Sequence, residues 1–176
     1  MKTKEFFQQV SLNEIQPNEA NVRECFDNAS IQELADSIQN SGLINPLTLR
    51  AVGKNQYAII CGERRFRAAQ LLGWKSINAY IKDVTAEEAQ ELCLIENIQR
   101  EDISAIEEAK AYEKLLQTSG DINELISRTG KSEKYIRVRL KLNHLIADFA
   151  ELLQTGEIGI GVAAVICEYS EEVQKD

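Results

Sequence analysis

The segment Gly62-Glu63-Arg64-Arg65-Phe66-Arg67 has the residue types to hold an anion. It follows Tyr57 to Cys61, an apolar run that reads as a strand, and a helix starts at the glycine. The first turn of a helix carries N–H groups without intrahelical partners, and these favour an anion. Gly62 lets an oxyanion approach the backbone closely. Arg64, Arg65 and Arg67 add guanidinium forks suited to phosphate. Cations at a helix N-terminus oppose the helix dipole and so call for an anionic partner. That partner is either a bound phosphate or a set of nearby carboxylates. The chain has no Walker GxxxxGK[ST] run, so this is not a P-loop. Cys61, beside the glycine, reads either as a buried strand residue or as a thiol activated by the helix N-terminus.

A second polar run, Glu96-Asn97-Ile98-Gln99-Arg100-Glu101-Asp102, ends one helix and leads to the next. Glu96 and Asn97 offer two oxygen ligands of the kind magnesium takes beside a nucleotide's phosphates, and Arg100 could reach a phosphate. The competing reading is a solvated linker.

Basic residues gather in a third place. Ile122 to Thr129 suits a short helix, Gly130 a turn, and Ser132 the cap of a second helix running to about Leu145. On that second helix Ile136, Leu140 and Asn143 share one side, while Lys134, Arg137 and Lys141 share the other. Between Asp121 and Asn143 six basic residues (Arg128, Lys131, Lys134, Arg137, Arg139, Lys141) face three acidic ones (Asp121, Glu124, Glu133). This segment is therefore +3 in a chain of −8, which leaves −11 on the remainder. Such a helix-turn-helix would offer Lys131, Ser132, Lys134, Tyr135, Arg137, Arg139 and Lys141 to a duplex. A solvated helix face or a protein-binding helical module fits the spacing as well.

The elements that must position these groups follow from patterning. Val10–Ile15, Leu47–Arg50, Tyr57–Cys61 and Ile77–Ile81 read as strands. Gln16 to Glu19 and Gly53 to Asn55 read as turns. Ser30-Ile31-Gln32-Glu33 reads as a capping box, opening a helix with Ile31, Leu34, Ala35 and Ile38 on one face and Gly42 as its stop. A helix from Glu63 to about Leu72 ends at Gly73, and Thr85 caps another that reaches about Asn97. Ser104 to Glu107 forms a further capping box and Asp121 to Glu124 a looser one, after which only helices are expected. The boundary between a mixed half and a helical half falls near residues 98–104, and Glu171 to Asp176 should fray.

Bulk composition narrows the classes. With 176 residues, 44% hydrophobic and 27% charged, the chain should bury a core as one medium domain or two small ones. No apolar run reaches the length of a membrane span, and the N-terminus lacks an apolar signal region, so a cytoplasmic location is expected. Cys25, Cys61, Cys93 and Cys167 are widely spaced and His144 is the only histidine, so free thiols are expected and a zinc site is not. The acidic total excludes a generally basic nucleic-acid coat protein but not a local basic face.

Taken together, the segments resemble the ParB family. Asn21-Val22-Arg23 with Phe26 is similar to its first nucleotide motif, and Gly42-Leu43-Ile44-Asn45-Pro46-Leu47 to its Gly-x-x-Gln-Pro segment. Gly62 to Ala69 matches its GERR box, Glu96 to Asp102 its ENxQR box, and Ile106 to Ala109 the helix start that follows. Gly130-Lys131-Ser132 stands where the family turns into its recognition helix. The likeness covers roughly residues 10 to 170. It implies an α+β architecture: a small mixed α/β ParB/sulfiredoxin-like domain at 1–102 and an all-α helix-turn-helix domain at 103–176. It also implies CTP with Mg2+ as cofactors. Arg23, Gly62, Arg64 and Arg65 would hold the triphosphate, with Asn45, Glu63 and Arg100 from the same motifs. Glu96 and Asn97 would hold the metal, and Glu96 would assist a slow CTP hydrolysis. Further implications are a centromere-like duplex site, a homodimer that closes as a clamp, a ParA-type ATPase partner, and a role in chromosome or plasmid segregation at the nucleoid.

Val22 for proline, Asn45 for glutamine, Ala105 for proline and the missing histidine in Gly159 to Ala163 depart from the family pattern. They bear on nucleotide choice and hydrolysis more than on the fold. No C-terminal dimerisation segment follows the helices. The expectation is a fragment, or a shorter relative that pairs through its N-terminal half. Two rival functions stay in play. One is a repressor with the same domains but no nucleotide switch. The other is a small-molecule kinase or sulfiredoxin-like reductase, which the helix-turn-helix and the Cys61-Gly62 order count against.

Overall fold

Alternating burial along two strands places the first core. In a computed structural model, which describes residues 5–17, 28–100 and 102–175, strands β1 (Glu5–Ser11), β2 (Ile15–Gln16), β3 (Leu47–Gly53), β4 (Gln56–Cys61) and β5 (Ser76–Lys82) form one sheet. Their order is β1-β5-β3-β4-β2. β1 runs antiparallel to β5 and β3 antiparallel to β4, while β3–β5 and β2–β4 are parallel. Ile77, Ala79 and Ile81 of β5 and Leu47 and Leu49 of β3 are buried at every second position, the period of a one-sided sheet. Helix α2 (Glu63–Leu71) lays Phe66 and Ala69 on this face, and helix α1 (Asn28–Ser41) packs Ile31, Ala35 and Ile38 against Ala68 of α2.

Two local expectations change. The strand expected at Val10–Ile15 is broken by a 3-10 turn, Leu12–Glu14, that buries Leu12, and the longer strand precedes it from Glu5. Phe6 and Phe7 sit in that strand yet are half-exposed, so no burial alternation announced it. Ser30 is not a cap, because α1 is already helical at Asn28. Residues 18–27, with the expected Asn21-Val22-Arg23 and Phe26 motif and Cys25, lie outside the described residues.

The chain divides into two compact units between Cys93 and Leu94, inside helix α3 (Ala86–Ile98), with Thr85 and Glu88 as its capping box. In the second unit follow α4 (Ala105–Ser119), α5 (Ile122–Thr129), α6 (Glu133–Lys141), a 3-10 turn at Leu142–His144, α7 (Ala147–Thr155), α8 (Ile160–Ile166) and α9 (Glu171–Lys175). Ser104 and Glu107 form the expected capping box of α4, and Asp121 accepts from Asn123 N–H at the start of α5. One core joins Ile98, Tyr112, Leu115, Leu125 and Ile136; another joins Ile106, Ala109, Leu142 and Ala163. α6 ends four residues before the expected Leu145, at Lys141, and tightens into the 3-10 turn. The tail expected to fray is helical, because Gln174 is buried and bonded. Among the described residues no helix is long and apolar enough to cross a membrane.

Candidate nucleotide and DNA sites

In the first unit the strand-to-helix turn is built as the sequence implied. Gly62 holds φ 107°, a left-handed conformation that L side chains rarely adopt, and caps α2 without a side-chain hydrogen bond. A Cβ there would lie 3.2 Å from Leu47 Cγ and 3.3 Å from Arg65 Cζ. A side chain in this turn would therefore be strained. Arg65 folds back over it, donating to Asn45 O at 2.7 Å and to Pro46 O. These contacts tie the loop before β3, and with it Asn45, to the GERR turn. Arg64 donates to Ser30 O at 3.3 Å, linking the same turn to α1.

Glu63 and Arg67 depart from the expected role. Glu63 is buried and accepts from Arg67 Nε at 2.9 Å, so this pair is a carboxylate satisfying a guanidinium within one helix. The internal-partner reading holds for Arg67, while Arg64 and Arg65 donate to backbone carbonyls and, among the described residues, form no ion pair. Cys61 is a half-buried strand residue.

Glu96, Asn97 and Arg100 belong to the second unit, at the end of α3 and just beyond it. Glu96 is exposed and Asn97 half-buried, next to buried Ile98. Arg100 makes a two-pronged pair with Asp102, Nε to Oδ1 at 2.9 Å and Nη2 to Oδ2 at 2.6 Å. Its guanidinium is occupied by a carboxylate rather than held open for phosphate.

The helix-turn-helix is α5, Gly130 and α6. Gly130 has φ 71° and its N–H reaches Ile126 O, closing α5; Ser132 Oγ accepts from Tyr135 N–H and starts α6. Ile136 is fully buried, Leu140 packs on the same core, and Asn143 Nδ2 donates to Ala109 O at 3.0 Å. The opposite side shows Lys134, Arg137 and Lys141 to solvent, as the spacing implied, with Lys131 and Ser132 exposed at the turn.

Most of these cations already have carboxylate partners. Arg128 pairs with Glu124, Arg137 with Glu133 at 2.7 Å, and Lys141 with Glu168 at 3.0 Å. Among the described residues Lys134 has no such pair.

Tyr135 and Arg139, grouped by sequence with the DNA contacts, turn inward. Arg139 Nε donates to Glu108 Oε2 at 2.6 Å, Tyr135 Oη donates to the same oxygen at 3.0 Å, and the Arg139 guanidinium lies over the Tyr135 ring. With Glu108 buried on α4, both side chains fasten α6 to α4 instead of facing a duplex. Burial raises the Tyr135 phenol, helped by its hydrogen bond to Glu108. Glu108 and Gln174 are the structural residues that sequence reasoning missed. A glutamate inside an acidic capping run and a glutamine in a polar tail carry no sequence signal of burial.

Comparison with known proteins identifies the family. Residues 1–98 match the model of the ParB N-terminal domain, and residues 101–176 that of the ParB HTH domain. The chromosome-partitioning protein Spo0J of Thermus thermophilus is 41% identical over 89% of this chain and 58% of its own length. A nucleoid occlusion protein of Bacillus thuringiensis is 40% identical over 98% of this chain and 60% of its own. The chain thus spans less than two thirds of these relatives. Among solved structures, a C-terminally truncated chromosome-partitioning protein ParB from Caulobacter crescentus, complexed to the centromeric parS site, matches with TM-score 0.76 and 27% identity. That match covers 94% of this chain and 87% of the other. The Caulobacter protein complexed with CTP-gamma-S matches with TM-score 0.51 and 28% identity, over 94% of each chain.

Proposed function

Because the chain belongs to the ParB family, we propose that it is a partition protein that binds a centromere-like duplex and whose grip is gated by CTP. The observation that carries the reading is the pairing, in one chain, of a helix-turn-helix with a strand-to-helix turn whose glycine holds φ 107°, where a side chain would be strained.

The division of labour follows from the residues. Gly62, Arg64 and Arg65 would hold the phosphates of CTP through backbone N–H groups and guanidinium charge, with Asn45 beside them. Arg23, from the first motif, would join them. Glu96 and Asn97 would supply oxygens to Mg2+. No group of three or more acidic, histidine or cysteine side chains stands ready for a metal among the described residues. Bound Mg-CTP would supply a polarised triphosphate, and exposed Glu96 would accept a proton from the attacking water in slow hydrolysis. Lys134, Arg137 and Lys141, with Lys131 and Ser132 at the turn, would face the major groove and its phosphates. The active form would be a homodimer closing on DNA, at the nucleoid, with a ParA-type ATPase as partner in segregation.

Titration calorimetry with Mg-CTP, alone and with a parS duplex, tests the reading. Nucleotide-dependent retention on a closed duplex is expected. DNA binding with no CTP affinity would replace this reading by a simple repressor of the same family. CTP affinity without duplex binding would favour an enzyme on the same scaffold.

A further inference from the structure

Lys141 ends the proposed recognition helix, and its ammonium is not free. It meets Glu168 Oε1 at 3.0 Å, although Glu168 stands 27 residues further on and outside the helix-turn-helix. A surface pair between flexible side chains is ordinarily incidental. This one rests on a built support. Gln174, buried on α9, accepts from Ile146 N–H at 3.1 Å and donates to His144 O and Tyr169 O, both at 3.0 Å. One side chain thus bolts the turn after Glu168 to the segment that immediately follows Lys141. Tyr169 N–H also closes on Ile166 O and Glu168 N–H on Val165 O, so the backbone on both sides of the carboxylate is fixed.

We infer that Glu168 acts against DNA binding, as an intramolecular rival of the duplex phosphates for Lys141. The inference rests on the reading of α6 as the DNA-reading helix. A phosphate that takes Lys141 must displace Glu168, and the released carboxylate then lies beside the polyanion. It collects a cation from solution, which offsets part of the counterion release that drives binding. Sequence-independent attachment depends almost wholly on phosphate contacts, so it bears the effect directly. Arg137–Glu133 and Arg128–Glu124 are pairs of neighbouring turns on their own helices, as i,i+4 spacing produces anywhere. Lys141–Glu168 alone among these exposed pairs brings its carboxylate from a separately anchored segment.

Binding of the full chain to a random-sequence duplex tests this, across a salt series. Compared are the wild type, Glu168→Gln, Lys141→Ala, the double variant, and Glu151→Gln as a control of equal charge on α7. Glu168→Gln should bind about two- to five-fold tighter. Its log K against log salt slope should steepen by up to about one. In the Lys141→Ala background the gain should vanish, and Glu151→Gln should gain less than Glu168→Gln. Equal gains with and without Lys141, or from Glu151→Gln, would overturn the pairing and leave only net charge. No gain in Glu168→Gln while the wild type binds the duplex would overturn it too. If the wild type binds neither random nor parS duplex, the DNA reading itself fails and the inference with it.

Discussion

Arg139 reaches across from α6 to Glu108 on α4 at 2.6 Å, and both side chains are nearly out of solvent, 13% and 4% exposed. Breaking one partner of a buried pair leaves the other charge uncompensated, which costs about 3–5 kcal/mol. Glu108→Ala should therefore lower the thermal midpoint of the helical unit and weaken duplex binding. Differential scanning calorimetry and fluorescence anisotropy on a duplex check this. An unchanged midpoint would mean that the pair does not brace the reading helix.

Tyr112 supplies the opposite case. Its ring is fully buried and, among the described residues, its hydroxyl has no hydrogen-bond partner, although Glu108 and Thr129 lie close to it. Burial, reinforced by the Glu108 charge, pushes the phenol well above its ordinary value. A raised folded pKa means stability that is whole below the unfolded value near 10 and falls as pH rises through that value toward the folded one. Tyr112→Phe should gain about 1 kcal/mol at neutral pH by removing an unmatched buried hydroxyl. It should also flatten the alkaline loss of stability above pH 10, as urea melts at pH 7 and 10.5 would reveal. A destabilised variant would show that the hydroxyl has a partner in solution.

Gly62 admits no side chain without strain, at φ 107° and with Leu47 3.2 Å from a built Cβ. Gly62→Ala should cost about 1–3 kcal/mol in stability. It should also abolish Mg-CTP binding in calorimetry at a temperature where the variant is folded. Full affinity in that folded variant would move the phosphates elsewhere. Arg64→Ala is the cleaner charge deletion, because Arg65 also ties down the Asn45–Pro46 loop. It should lose nucleotide affinity with little change in melting.

At the end of α3 the two oxygen donors should separate by role. Asn97→Ser is expected to weaken magnesium-dependent CTP binding and clamp closure in a crosslinking assay, with initial duplex binding near normal. Glu96→Gln should retain CTP but release phosphate at least ~100-fold more slowly if Glu96 handles the proton. Wild-type turnover in that variant would remove Glu96 from catalysis.

On α6, Arg137 is 62% exposed and paired only within its own helix. Arg137→Ala should cost about 1–3 kcal/mol on the cognate site, the worth of a base contact. Lys134→Ala should weaken all duplexes alike and lower the salt slope by roughly one, and Lys141→Ala should do so by less, because Glu168 offsets its counterion release. Fluorescence anisotropy with parS and scrambled duplexes separates the two patterns. If all three variants bind both duplexes like the wild type, the helical unit is a protein-interaction module.

The sequence alone determined what depends on local rules. Caps at Thr85, Ser104, Asp121 and Ser132, glycine stops at positions 42, 73, 120 and 130, and the Gly62 turn all follow from near-neighbour sterics and hydrogen bonding. They appear in the structure where the residues imply. The apolar stripe of Ile136 and Leu140 against Lys134, Arg137 and Lys141 was likewise legible, because helical period alone sets which side chains share a face. Tertiary structure decided the assignments that depend on residues far apart in the chain. Arg139 differs from Arg137 by two positions, yet only the arrival of Glu108 from α4 makes one internal and the other exposed. Lys141 acquires its rival only when Gln174 pins the distant Glu168 turn beside it. Half-exposed Phe6 and Phe7 become an edge strand because β5 offers its free backbone groups, a pairing that no local pattern encodes.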